Sequence, residues 1–255
     1  MWDPRQYSHF RGERSRPFFE LLSRVDVATP ATVADLGCGT GDLTRALAER
    51  WPGARVTGVD SSEAMVAEAR TREVPANLRF EVADLATWAP PQPLDVLVSN
   101  AALHWVPDHA GLLTRLAASL APQGVLAFQV PANFEAPSHR LVDEVRALPR
   151  FASKVAPVRR RPVETLEAYE TLLAGLGLSV DAWETTYLHV LPGEDAVLAW
   201  LLGTTLRPVL AALGAEESPA FLEALRPRLR EAYPAYPRGT PFRFTRRFVV
   251  ARRAS

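Results

Sequence analysis

Residues Val33 to Leu43 read VADLGCGTGDL: a short apolar run, then glycines at 37, 39 and 41, then the start of an amphipathic segment. A strand that passes through such a loop into a helix opens a βα unit, and glycine there lets the backbone turn sharply and approach a ligand without Cβ clashes. A dinucleotide fingerprint needs G-x-G-x-x-G, yet residue 42 is Asp; a P-loop needs Gly-Lys-Ser/Thr, which is absent. Two common nucleotide sites thus lose ground.

Outward from the loop, short apolar runs alternate with amphipathic ones, which predicts an α/β fold with a mostly parallel sheet. The strands expected are Thr32 to Leu36, ARVTGVD ending at Asp60, Leu78 to Ala83 ending at Asp84, LDVLVSN at 94–100 and GVLAFQV at 124–130. Helices are expected from about Asp42 to Trp51, after an N-cap at Ser61, and from about Asp108 to Leu120. Beyond Pro131 the alternation loosens, with a helix from about Glu164 to Ala174 and a strand in TTYLHVL at 185–191. Glu194 to Tyr233 reads as helices interrupted by Pro208 and Pro227, and Phe242 to Arg252 as an antiparallel edge strand.

The domain organisation expected is 1–28 as an N-terminal lid and 29–131 as the ligand-binding core. Residues 132–192 complete the core with an irregular insertion, 193–241 form a helical substrate cap, and 242–255 supply the last strand. An insertion of that length between pairing strands is usually functional, and it is expected to overhang the carboxyl ends of the parallel strands.

Composition narrows the class. The 255 residues carry 47% hydrophobic and 23% charged side chains with zero formal net charge, so nothing announces a nucleic-acid or membrane partner, and no obligate protein partner is evident. Lys154 is the single lysine, leaving many planar guanidinium groups for carboxylates. The lone Cys38 cannot form an internal disulfide, and no apolar run approaches about 18 residues, so a cytoplasmic protein is expected.

Three acidic strand ends define the ligand. Asp35 places a carboxylate where a zwitterionic amino-acid tail offers its ammonium; Asp60 suits two ribose hydroxyls; Asp84, with the Leu85 backbone N–H, suits an adenine edge. Each also suits helix capping, and their joint spacing carries the assignment. With no basic phosphate clamp, the set favours a phosphate-free, cationic nucleoside. Asn100, at the switch point after the fourth strand, is positioned to face its reactive end.

With its acidic residue before GxGxG and acidic residues closing strands two and three, the segment from Val33 to Asn100 resembles the class I S-adenosylmethionine methyltransferases. That resemblance implies a Rossmann-like sheet of seven strands, helices on both faces, a helical cap insertion, and S-adenosylmethionine as cofactor with S-adenosylhomocysteine as product. It implies contacts from Asp35, Gly37, Cys38, Gly39, Asp60, Ser61, Asp84, Leu85 and Asn100, and no metal. Members that methylate exocyclic amines or glutamine carry Asn/Asp-Pro-Pro-aromatic after strand four; this chain has Asn100-Ala101-Ala102-Leu103, which disfavours those acceptors.

WDPRQYSHF…ERSRP at the start, LHWVPDH at 103–109, WETTYLHVLP at 183–192 and W-L-x-G-T-T-L-R-P at 200–208 extend the likeness over nearly the whole chain. In these segments the chain is similar to the trans-aconitate 2-methyltransferase family, which implies monomethyl esterification of trans-aconitate with related tricarboxylates as poorer substrates; another small-molecule carboxylate or O-methyltransferase and a non-catalytic S-adenosylmethionine sensor are the alternatives. A carboxylate is already ionised at neutral pH, so no base is needed and catalysis is expected to be positioning and desolvation. Arg207 with Tyr187 is the expected clamp for an unreacting carboxylate, with His104 and Trp105 along the channel and Tyr7 and Arg14 on the lid. Arg243, Arg246 and Arg247 are weaker candidates, and a structural histidine is the alternative for His104.

Overall fold

The computed structural model describes residues 11–158 and 163–254, with side chains from residue 15 onward. Helix α1 (Arg11–Ser23) precedes β1 (Thr32–Leu36), whose five residues are all buried. α2 (Asp42–Arg50), β2 (Arg55–Asp60), α3 (Glu63–Arg70), β3 (Leu78–Val82) and β4 (Leu94–Asn100) follow. A 3-10 turn, Leu103–Trp105, leads to α4 (His109–Ala118) and β5 (Leu120–Pro131). Next come α5 (Pro137–Arg146), α6 (Pro149–Val155), α7 (Leu166–Gly175), β6 (Leu178–Leu191), α8 (Ala196–Leu202), α9 (Arg207–Ala232) and β7 (Thr240–Arg253).

The strands form one sheet in the order β3-β2-β1-β4-β5-β7-β6, parallel from β3 to β5 and antiparallel where β7 meets β5. This is the expected α/β, Rossmann-like architecture. Val33, Leu36, Val96, Leu97, Val98, Leu126 and Phe128 are essentially inaccessible, and each such side chain contributes roughly 1.5–3 kcal/mol of burial. β1 lies between β2 and β4, so its end sits at the reversal in strand order, where open α/β sheets bind ligands.

Four expectations change. The N-cap of α3 is Ser62, not Ser61: the Asp60 carboxylate takes the Ser62 N–H, and Ser62 Oγ accepts from Met65 N–H. β3 stops at Val82, two residues short of Asp84. β7 is an interior strand, because Phe248 to Ala251 are buried consecutively between β5 and β6. In α9, Pro208 falls in the first turn, where a missing N–H costs nothing, and Pro227 lies within the helix; the break is instead at Gly214, with φ 70°.

The chain divides into two compact units. One holds 12–131, 163–185 and 246–254; the other holds 132–158 and 186–245. Residues 132–158 therefore group with the expected cap and not with the core. The reason is packing: Val142 and Val145 on α5 and Phe151 and Val155 on α6 share one apolar cluster with Trp200, Leu206, Val209 and Phe221. Among the described residues no single helix is long and apolar enough to cross a membrane; α8 and α9 reach that length only across a 98° bend.

Candidate active site

The turn after β1 is built by backbone hydrogen bonds. Gly37 and Cys38 N–H both donate to the Val59 carbonyl, at 2.7 and 3.0 Å, and Gly41 N–H donates to the Cys38 carbonyl at 2.9 Å. All three glycines have positive φ, but for different ends. A Cβ at Gly37 falls 2.1 Å from Ala102 Cβ, and one at Gly41 falls 2.5 Å from the Phe80 ring. At Gly39 a Cβ meets nothing within 4 Å. The outer two glycines serve the protein's own packing, whereas the middle one faces open space into which a ligand can reach the backbone.

Around that space stand the acidic residues. Asp35 is only 2% exposed and accepts from Thr44 Oγ1 at 2.6 Å. Burial pushes its pKa up to about 6, the Thr44 hydrogen bond pulls it down, and the Asp60 charge adds to the rise. Asp60 accepts from Gly39 N–H with one oxygen and from Ser62 N–H with the other, both at 2.9 Å, and each oxygen keeps a further lone pair. It therefore ties the loop to the end of β2 while remaining able to accept from a ligand. Asp84 is exposed and accepts from Ala86 N–H at 2.9 Å; Leu85 beside it is buried. Cys38 is a buried thiol whose pKa burial drives upward, so it stays protonated.

Asn100 ends β4. Ala101 follows with φ 56°, a left-handed conformation uncommon for alanine, held by its N–H to the Gln129 carbonyl at 3.0 Å. Asn100 Oδ1 accepts from Gln129 Nε2 at 2.6 Å, and Gln129 Oε1 accepts from Arg246 Nη1 at 3.0 Å. Gln129 is fully buried and Arg246 is 4% exposed. In the 3-10 turn, the His104 Nδ1 is buried with no hydrogen-bond partner among the described residues. Burial first, then the charges of Arg246 and His109, pull the His104 pKa down to about 3, so the imidazole is neutral at physiological pH. Trp105 packs against it at 4.8 Å and is 57% exposed.

The acceptor candidates are less gathered. Tyr187 on β6 is buried and stacked on His189; Arg207 is exposed in the first turn of α9, and no hydrogen bond joins the two side chains. Tyr7 and the side chain of Arg14 lie outside the described residues, as does the lid expected at the N-terminus up to residue 10. Arg243 is exposed, and Arg247 is engaged by Glu184 and the Glu164 carbonyl. Of the weaker arginines, Arg246 alone is buried beside the end of β4.

Thr44, Ala102 and Gln129 were missed from sequence. Gln129 had a visible signal, a polar side chain inside the apolar run GVLAFQV, whereas nothing local marked Thr44 or Ala102. A 380 Å³ cavity in the same unit is lined by Arg55, Arg79, Trp88 and Pro90 but by none of Asp35, Gly39, Asp60 or Asn100, so cavity size does not locate this site. Among the described residues no group of three ligating side chains is placed to hold a metal ion.

A family described as "Methyltransferase domain" matches residues 33–124. Trans-aconitate 2-methyltransferase of Streptomyces avermitilis is 51% identical over 98% of this chain and 96% of its own. The enzyme of that name from Rhodococcus jostii is 49% identical over 98% and 99%. Among solved structures, a putative sarcosine dimethylglycine methyltransferase from Galdieria sulphuraria superposes with a TM-score of 0.62 at 15% identity, covering 100% of this chain and 90% of that one. The last likeness concerns the fold alone.

Proposed function

The chain belongs to the trans-aconitate 2-methyltransferase family of S-adenosylmethionine-dependent enzymes, and we propose that it esterifies one carboxylate of trans-aconitate to give the monomethyl ester, other tricarboxylates being poorer substrates. The observation that carries the proposal is identity near one half over almost the whole chain, both compact units included, with enzymes bearing that name.

The residues present fit the cofactor. Asp35 would hold the ammonium of its amino-acid tail, the open backbone at Gly39 would lie against that tail, Asp60 would take the ribose hydroxyls, and Asp84 with Leu85 would meet the adenine. When bound, the cofactor supplies a methyl group on a sulfonium, open to in-line displacement. Among the described residues at the acceptor end, the His104 imidazole, with its pKa held down to about 3, is too weak a base to take a proton, and Arg246 is a cation. This suits an acceptor that arrives already deprotonated, for which the protein's work is to orient the oxygen and exclude water. Arg207 remains the candidate for an unreacting carboxylate.

The direct test is transfer of labelled methyl from the cofactor to trans-aconitate, scored as base-labile label released as methanol. A protein that binds S-adenosylhomocysteine but releases no such label from any tricarboxylate overturns the proposal.

A second expectation concerns pH. The ionised form of Asp35 is the one that attracts an ammonium, and its pKa stands at about 6. Affinity for S-adenosylhomocysteine should be level above about pH 7 and about tenfold weaker at pH 5 than at pH 7. Titration calorimetry across this range checks it, with Asp35→Asn expected to flatten the profile. Affinity that ignores pH in the unsubstituted protein counts against Asp35 as the ammonium's partner.

A further inference from the structure

The polar chain from Arg246 through Gln129 to Asn100 crosses three adjacent strands, β7, β5 and β4. Its direction is fixed by chemistry. A guanidinium carries N–H donors and no acceptor, so the atom of Gln129 that faces Arg246 must be the amide oxygen. The Gln129 amino group is then the end that faces Asn100, and it can only donate. Asn100 must answer with its own oxygen, at 2.6 Å. What Asn100 has left is its amino group, for which no acceptor stands among the described residues.

Asn100 is part-exposed at the carboxyl end of β4, beside the left-handed Ala101, where ligands of open α/β sheets bind. An amine acceptor of a methyl group needs a hydrogen-bond acceptor from the protein, to hold its N–H and aim its lone pair. A carboxylate needs the reverse. We infer that Arg246 and Gln129 are positioning residues that fix the hydrogen-bond polarity of Asn100, so that it presents N–H donors to a carboxylate of the methyl acceptor and discriminates against amines. Arg246 pairs with Pro131, the last residue of β5, which places its positive charge close to the same end of the sheet and also favours an anion. The inference rests on the proposed carboxylate substrate and names the group that reads it.

Gln129→Glu provides the test. The new side chain keeps its size and strengthens the contact with Arg246, but it has only acceptors, so Asn100 must turn its amino group inward and offer its oxygen to the acceptor. The readout is trans-aconitate binding to the S-adenosylhomocysteine-loaded protein by calorimetry, with KM and kcat measured beside it. Affinity for trans-aconitate is expected to fall about thirtyfold, the worth of a charge-assisted hydrogen bond, with affinity for S-adenosylhomocysteine within threefold of the unsubstituted protein. Gln129→Met, which frees Asn100 to rotate, should lose less.

A purely structural role predicts the opposite order, because Met removes the Gln129 hydrogen bond to the buried guanidinium while Glu keeps it. Asn100→Asp, which still accepts from Gln129 but has no donor to offer, should repeat the loss and guards against a Gln129→Glu protein that fails to fold. Trans-aconitate affinity within threefold of the unsubstituted protein in both Gln129→Glu and Asn100→Asp, or a greater loss in Gln129→Met than in Gln129→Glu, overturns the inference, as does no binding of trans-aconitate to the unsubstituted protein. Failure of the substrate proposal is seen separately, in the absence of methyl transfer by the unsubstituted protein.

Discussion

Gly37→Ala and Gly39→Ala are expected to fail in different ways although the two positions lie two residues apart. At Gly37 the added Cβ falls 2.1 Å from Ala102 Cβ at φ 78°, so the loop after β1 and the loop after β4 must part. A left-handed alanine costs about 1–2 kcal/mol and overpacking about 1–3 kcal/mol, so a loss of about 3 kcal/mol is expected, or a Tm lower by roughly 6–12 °C. At Gly39 the Cβ meets nothing, so the conformational cost alone applies and the Tm should fall by roughly 2–8 °C. Its effect should appear in binding, with S-adenosylhomocysteine affinity down about a hundredfold as the methyl group fills the approach to the backbone. Thermal melts and calorimetry on both variants decide it; a Gly39→Ala protein that binds the nucleoside normally removes Gly39 from the cradle.

The second large effect is expected at Asp60. Asp60→Ala takes the acceptor from the N–H groups of Gly39 and Ser62, both at 2.9 Å, and from any ribose hydroxyl. Charge-assisted hydrogen bonds are worth about 1.5–3 kcal/mol each, so S-adenosylhomocysteine affinity should fall at least about a hundredfold. The fold should survive, since Gly37 and Cys38 remain tied to the Val59 carbonyl. A calorimetric loss below about fivefold counts against the ribose role; a collapsed protein counts against the separation of loop order from fold order.

The residues proposed for the cofactor end could be picked from the sequence because their information is local. Asp35, the glycines and Asp60 lie within 26 residues, at spacings that a strand, a turn and a second parallel strand impose on any chain of this fold. What that reading could not separate was the work of each glycine, because Ala102 follows β4 and Phe80 lies within β3. Ser61 was preferred to Ser62 as a cap for a similar reason: both are good capping residues, and only the Asp60 carboxylate, by taking the Ser62 N–H, decides between them. The acceptor end was less legible. Arg246 looked like one of several basic residues on an alternating strand, and its selection over Arg243 and Arg247 depends on burial beside Gln129.

By itself the sequence determined the parallel sheet, the glycine turn after β1, the spacing of Asp35, Asp60 and Asp84 on which the proposed cofactor site rests, and the family to which the chain belongs. These follow from side-chain type and short-range spacing, which constrain backbone conformation directly. Only the tertiary structure decided that β7 is interior, that α5 and α6 pack with α9, and that Asn100 turns its oxygen toward Gln129. The bonds behind that last result join residues 29 and 117 positions apart. Periodicity reports whether a side chain is buried; which donor faces which acceptor depends on the neighbouring strand, and pairing alone supplies it.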